Sequence, residues 1–134
     1  MYLVDTDWIA DLLAGRSRAY SLLAPLVPDG LSISIITYAE IYQGIFFGQD
    51  PRRSERAFKT LLQDVRILPL SRPIARRYAR IRGTLRVSGT LLPPQDILIA
   101  ATAIHHDLTL VTRNLKHFQR IPNLNILEEP PTAT

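Results

Sequence analysis

The 134-residue sequence contains no cysteine. That excludes a disulfide framework, a thiolate nucleophile and any zinc or iron–sulfur centre held by cysteine. No apolar run approaches the ~20 residues needed to cross a bilayer. Met1-Tyr2-Leu3-Val4-Asp5 lacks the basic start and long apolar stretch of a signal peptide. A cytoplasmic protein with no membrane partner is the expectation. Histidine is scarce too. His105 and His106 stand beside Asp107 as a helix C-terminal cap, and His117 has no partner at ligand spacing, so no histidine metal site is expected. A hydrophobic fraction of 46% and a charged fraction of 21% exclude a disordered chain. The length suits one domain over residues 1–134, with 128–134 a frayed tail.

Lysine is nearly missing as well, which makes the charge pattern distinctive. Residues 1–51 carry Arg16 and Arg18 against six acids, Asp5, Asp7, Asp11, Asp29, Glu40 and Asp50. Residues 52–86 carry ten arginines and Lys59 against Glu55 and Asp64. The overall net charge of +4 therefore comes from one arginine-rich block. The planar guanidinium fork suits bidentate phosphate contact better than the point charge of lysine. A solvated helix face is the plainer explanation for any single arginine. The block as a whole favours a polyanionic partner.

Short apolar runs alternate with helical patterns. Tyr2-Leu3-Val4, Leu31–Ile35, Val65–Leu68, Thr109–Thr112 and Leu124–Leu127 read as strands. Helices are expected from Thr6, a plausible N-cap, to Gly15; from Arg18 to Leu26; from Thr37 past Phe46; and from Arg52 to Leu62 with Ala57 and Phe58 inward. A further helix buries Ile74, Tyr78, Ile81 and Leu85 and sets Arg72, Arg76 and Arg80 on its opposite face. The most apolar helix runs from Asp96 to His105. Strands separated by helices pair in parallel through crossovers, giving an α/β sandwich.

Such sheets place their chemistry outside the carboxyl ends of the strands. Asp5 ends the first strand, Glu40 lies early in the helix after the second, Asp96 opens the apolar helix and Asn114 follows the late strand. Each has a structural alternative: Thr37-x-x-Glu40 has capping-box spacing, and Asp96 suits a helix N-terminus whatever else it does. Asp7 could simply occupy a first helical turn, and Trp8 suits a core or interface better than base stacking. Convergent carboxylates without cysteine or paired histidine favour a hard cation, Mg²⁺ or Mn²⁺. Beside an arginine-rich surface, such an ion makes sense of acids that would otherwise repel a phosphodiester.

Four ordered segments carry a resemblance over essentially the whole chain: Tyr2–Ile9, Ser34–Gly44, Asp96–Ala103 and Leu110–Asn114. The sequence resembles the PIN domain and, more narrowly, the VapC ribonuclease toxins of toxin–antitoxin pairs. The resemblance implies a three-layer α/β/α sandwich around a central parallel sheet. It implies Mg²⁺- or Mn²⁺-dependent cleavage of RNA by a metal-activated water, leaving a 5′-phosphate. It also implies homodimerisation and neutralisation by a cognate VapB-type antitoxin in a hetero-oligomer. By position, Asp5, Glu40 and Asp96 match the family's acids, Asp5 and Asp96 its metal positions, and Thr112 its supporting hydroxyl. Glu40 would orient the attacking water or take its proton. Asn114 stands where the wider family has a fourth acid; its neutral carbonyl can hold a water but adds no charge, which favours one tightly bound ion. Arg72, Arg76 and Arg80 would contact RNA or an acidic partner, with Arg113 and Lys116 nearer the site.

Two other readings exist. Leu3-Val4-Asp5-Thr6-Asp7 is also a strand ending in Asp-x-Asp, as in haloacid-dehalogenase phosphatases, but that chemistry also wants a correctly placed lysine, and only Lys59 and Lys116 exist. A non-catalytic RNA- or protein-binding PIN module, marked by Asn114, is the second.

Overall fold

The computed structural model describes residues 1–128. Four parallel strands, β1 (Tyr2–Val4), β2 (Leu31–Ser34), β3 (Val65–Leu68) and β4 (Thr109–Val111), form one sheet in the order β3-β2-β1-β4. Tyr2 registers with Leu31 on one side and Thr109 on the other. The chain builds outward from β1 to β2 and β3, then returns to the opposite side of β1 as β4. The β1/β4 junction is therefore the topological switch point, where the crevice of an open parallel sheet lies.

Alternation along the strands supplies two apolar layers. Leu3, Leu68 and Leu110 join one core with α5 (Arg72–Val87) and α6 (Pro94–His105). Val4, Ile33 and Val111 join the other with α1 (Thr6–Leu13), α2 (Ser17–Leu23), α3 (Ile35–Phe46) and α4 (Pro51–Leu61). Helices thus cover both faces, giving the expected three layers. Trp8 is buried in the second core, with no hydrogen bond to its indole N–H among the described residues. Tyr42 on α3 donates to Glu55 Oε2 on α4 at 2.8 Å, tying those two helices together. Among the described residues no helix is long and apolar enough to cross a membrane.

Several local expectations are corrected. Asp5, not Thr6, is the α1 N-cap, and Thr6 is its first helical residue. Ser34 caps α3 by accepting from the Ile36 N–H, so Thr37 and Glu40 form no capping box. α2 stops at Leu23 because Pro25 brings no N–H to continue it, and the chain tightens into a 3-10 turn over Ala24–Asp29. Ala57 is exposed although Phe58 is fully buried. Leu124–Leu127 forms no strand: after left-handed Asn123 (φ 67°) the chain meets β4 in a single parallel bridge, Leu110 to Ile126. Of the expected frayed tail, Glu128 is exposed and outside any element, and 129–134 lie outside the described residues. A short α7 (Leu115–Phe118) follows β4.

Candidate active site

Asp5 sits where β1 turns into α1, with only 4% of its surface exposed. Both carboxylate oxygens are engaged: Oδ1 accepts the Thr6 N–H at 2.8 Å and Oδ2 accepts the Thr112 hydroxyl at 2.7 Å. Thr112 directly follows β4, so this bond closes the switch point. The Thr112 oxygen in turn accepts the Asn114 N–H at 3.1 Å. The side chain of Asn114 is exposed and makes no hydrogen bond to the described residues.

Glu40 reaches the same place from α3. Its Oε1 accepts the Thr6 hydroxyl at 2.8 Å, and the Thr6 and Thr37 hydroxyls lie 3.0 Å apart. Thr6 has a single hydroxyl proton, so when it serves Glu40, Thr37 must donate to Thr6. A continuous chain of polar contacts therefore runs from Asn114 through Thr112, Asp5 and Thr6 to Glu40. Sequence reasoning missed Thr6 and Thr37 as site residues. The available signals were a hydroxyl immediately after Asp5 and another one helical turn before Glu40, on the same face.

Asp96 enters from the first turn of α6, where the helix dipole favours its charge. It has no side-chain hydrogen bond among the described residues, and its Oδ2 lies 4.0 Å from His117 Nδ1. The proximity of His117 was not foreseen, because a four-residue helix folds it back onto α6.

Burial, helped by the charges of Asp96 and Asp7, pushes the Asp5 carboxyl up to about 6 against the pull of the Thr112 and Thr6 hydrogen bonds. Asp96 is also raised, first by burial and then by repulsion from Glu40, with His117 opposing the rise. The charge of Asp96 thus acts on Asp5 and that of Glu40 on Asp96, and Thr6 links Asp5 to Glu40 at the switch point.

Arg113 lies beside this cluster but faces α1. It pairs with Asp11 at 2.7 Å, reaches Asp7 at 4.0 Å and stacks over Trp8 at 5.3 Å from the ring centre. Lys116 and His117 line an open hollow next to Asn114. Arg72, Arg76 and Arg80 are exposed on α5, away from the acids.

Among the described residues no three of His, Cys, Asp or Glu form a complete metal ligand set. A hard cation needs less than that. Mg²⁺ is held by one or two carboxylates, waters and substrate phosphate rather than by an all-protein cage. Asp5 and Asp96, each opposed in its ionisation by burial and by neighbouring carboxylates, fit this requirement, because a cation offsets both penalties.

The PIN domain family model matches residues 2–124. Ribonuclease VapC1 of Haemophilus influenzae is 34% identical over 126 residues, covering 92% of this chain and 94% of its own. The chain belongs to the PIN-domain family, among the VapC proteins. The PIN domain also superposes on VapBC2 of Rickettsia felis bound to a DNA fragment from their promoter. That match has a TM-score of 0.87 and 28% identity over 94% of this chain and 96% of that one. A toxin–antitoxin complex from Klebsiella pneumoniae is similar at a TM-score of 0.78 and 31% identity, over 96% of this PIN domain and 97% of its counterpart.

Proposed function

We propose that the protein is the toxin of a toxin–antitoxin pair: an endoribonuclease that hydrolyses RNA with Mg²⁺ or Mn²⁺ and is silenced by a VapB-type antitoxin. The observation that carries this reading is the convergence at the sheet's switch point of Asp5, held by Thr112 and Thr6, with Glu40, held by the same Thr6, and with Asp96, whose charge acts on Asp5. The VapC ribonucleases and VapBC assemblies it resembles support the substrate and the partner.

Asp5 and Asp96 would hold the cation. A bound divalent ion supplies positive charge that offsets the phosphate and makes a water easier to deprotonate. Thr112 and the Thr6 N–H fix the Asp5 carboxylate so that its remaining lone pairs point in set directions. The Thr6 hydroxyl holds Glu40 by Oε1, leaving Oε2 to orient the attacking water and accept its proton. Asn114 offers a neutral carbonyl beside them, suited to holding a water. The protein would act as a homodimer and join its antitoxin in a hetero-oligomer, with residues 1–134 as one domain.

Incubating RNA with the protein in Mg²⁺ or in EDTA tests this. Cutting is expected only with Mg²⁺, and Asp96→Asn should abolish it while leaving the circular dichroism spectrum and antitoxin binding intact. Full Mg²⁺-dependent activity in that variant would refute the assignment. RNA binding without cleavage in the unaltered protein would favour a non-catalytic module, the reading that Asn114 leaves open.

A further inference from the structure

A hollow of about 440 Å³ opens between α5 and α6, at the end of α6 remote from the acids. Arg76, Arg77, Arg80 and His105 line it, with Ile81 and Ile104 in its apolar wall. The volume falls in the range of small-molecule sites, about 300–1,000 Å³. No carboxylate lines it. Among the described residues no ion pair engages Arg76, Arg77 or Arg80, whereas Arg16 and Arg113 each have an acidic partner. Three guanidinium groups converging without a counter-charge repel one another, so an anion settling among them is favoured.

The hollow is also connected to the acidic cluster. His117 stands 4.0 Å from Asp96, and the chain continues from there through exposed Gln119 and Arg120, just after α7, to Asn123, which lines the hollow. His105 lies nine residues after Asp96 on α6, about 14 Å at 1.5 Å per residue.

We propose that this hollow holds the sugar–phosphate backbone of RNA away from the bond that is cut, about 14 Å along α6 from Asp96. The arginines take the phosphates in bidentate contacts, and the Ile81 and Ile104 surface meets the ribose or base. The proposal rests on the ribonuclease reading for the identity of its polyanion. A flat acidic protein surface fits less well, because the donors surround a concave space with an apolar back.

The test is binding of a labelled 20-nucleotide single-stranded RNA in EDTA, followed by anisotropy across a range of salt concentrations. Arg76→Gln/Arg77→Gln/Arg80→Gln should raise Kd about tenfold or more at low salt. The slope of log K against log salt should fall by about 2, since each phosphate contact contributes about 0.7 on a single strand. A matched triple variant, Lys59→Gln/Arg66→Gln/Arg86→Gln, changes cations that do not line the hollow and should raise Kd less than about threefold. Unchanged binding in the first variant, or equal losses in both, would overturn the proposal. So would intact RNA binding with lost binding of polyglutamate, which would assign the hollow to an acidic protein. The two readings fail separately. Absent cleavage by the unaltered protein with hollow-dependent binding sinks the nuclease alone, and cleavage with hollow-independent binding sinks only the hollow.

Discussion

Thr112 donates a 2.7 Å hydrogen bond to Asp5 across 107 residues of sequence, joining the ends of two adjacent parallel strands. The bond fixes the carboxylate and favours its charged form against burial. Thr112→Val keeps the shape and removes the donor. Activity is expected to fall about 10–100-fold, the usual loss for a residue that orients a metal ligand. Divalent-cation affinity should drop alongside. A Thr112→Ser variant that restores both would separate the hydroxyl's role from packing, and activity indifferent to Thr112→Val would count against it.

Burial and repulsion should make the metal-free protein more stable in mild acid. Asp5 titrates near 6 when folded, well above its ordinary value, so the folded state binds this proton more tightly than the unfolded chain does. The resulting stability is complete below the unfolded value and is lost as pH rises through about 6. A rise of that size corresponds to about 3 kcal/mol, and Asp96 acts in the same direction. Urea unfolding in EDTA should therefore give greater stability at pH 5 than at pH 7.5, and Asp5→Asn should flatten the difference. A metal-free protein that loses stability on acidification over this interval would contradict the coupling.

Glu40 is held by Thr6 but carries no other described hydrogen bond. Glu40→Gln retains an acceptor for the Thr6 hydroxyl and removes the ability to take a proton. The expected result is a loss of about 10²–10⁴ in kcat, the usual contribution of a general base, with RNA affinity in EDTA nearly unchanged. Equal losses in kcat and in RNA affinity would make Glu40 a binding residue instead.

Much of this site is visible in the sequence because position along a parallel strand is visible there. Asp5, Thr112 and Asn114 follow apolar runs that can only be buried strands, and strands of one direction bring their carboxyl ends to one edge. Asp96 is legible because it opens a helix apolar nearly all round. Thr6 was misassigned because hydroxyl residues favour helix caps, and only the fold shows that Asp5 already holds the cap. Thr37 and Glu40 matched a capping box, but Ser34 starts α3 earlier. Arg113, read from sequence only as near the site, lies against Asp11 and Trp8, a contact between α1 and the loop after β4 that no local pattern encodes. His117 likewise meets Asp96 only through the turn of α7.

The most direct measurement is calorimetric titration of Mn²⁺ into the metal-free protein at pH 7.5, alongside Asp5→Asn and Asp96→Asn. About one ion per chain is expected for the unaltered protein, with binding weakened at pH 5.5 as Asp5 takes up its proton, and each variant should lose the site while remaining folded. Binding of equal strength in all three proteins would show that these carboxylates do not share a cation, and the ribonuclease reading would fall with them.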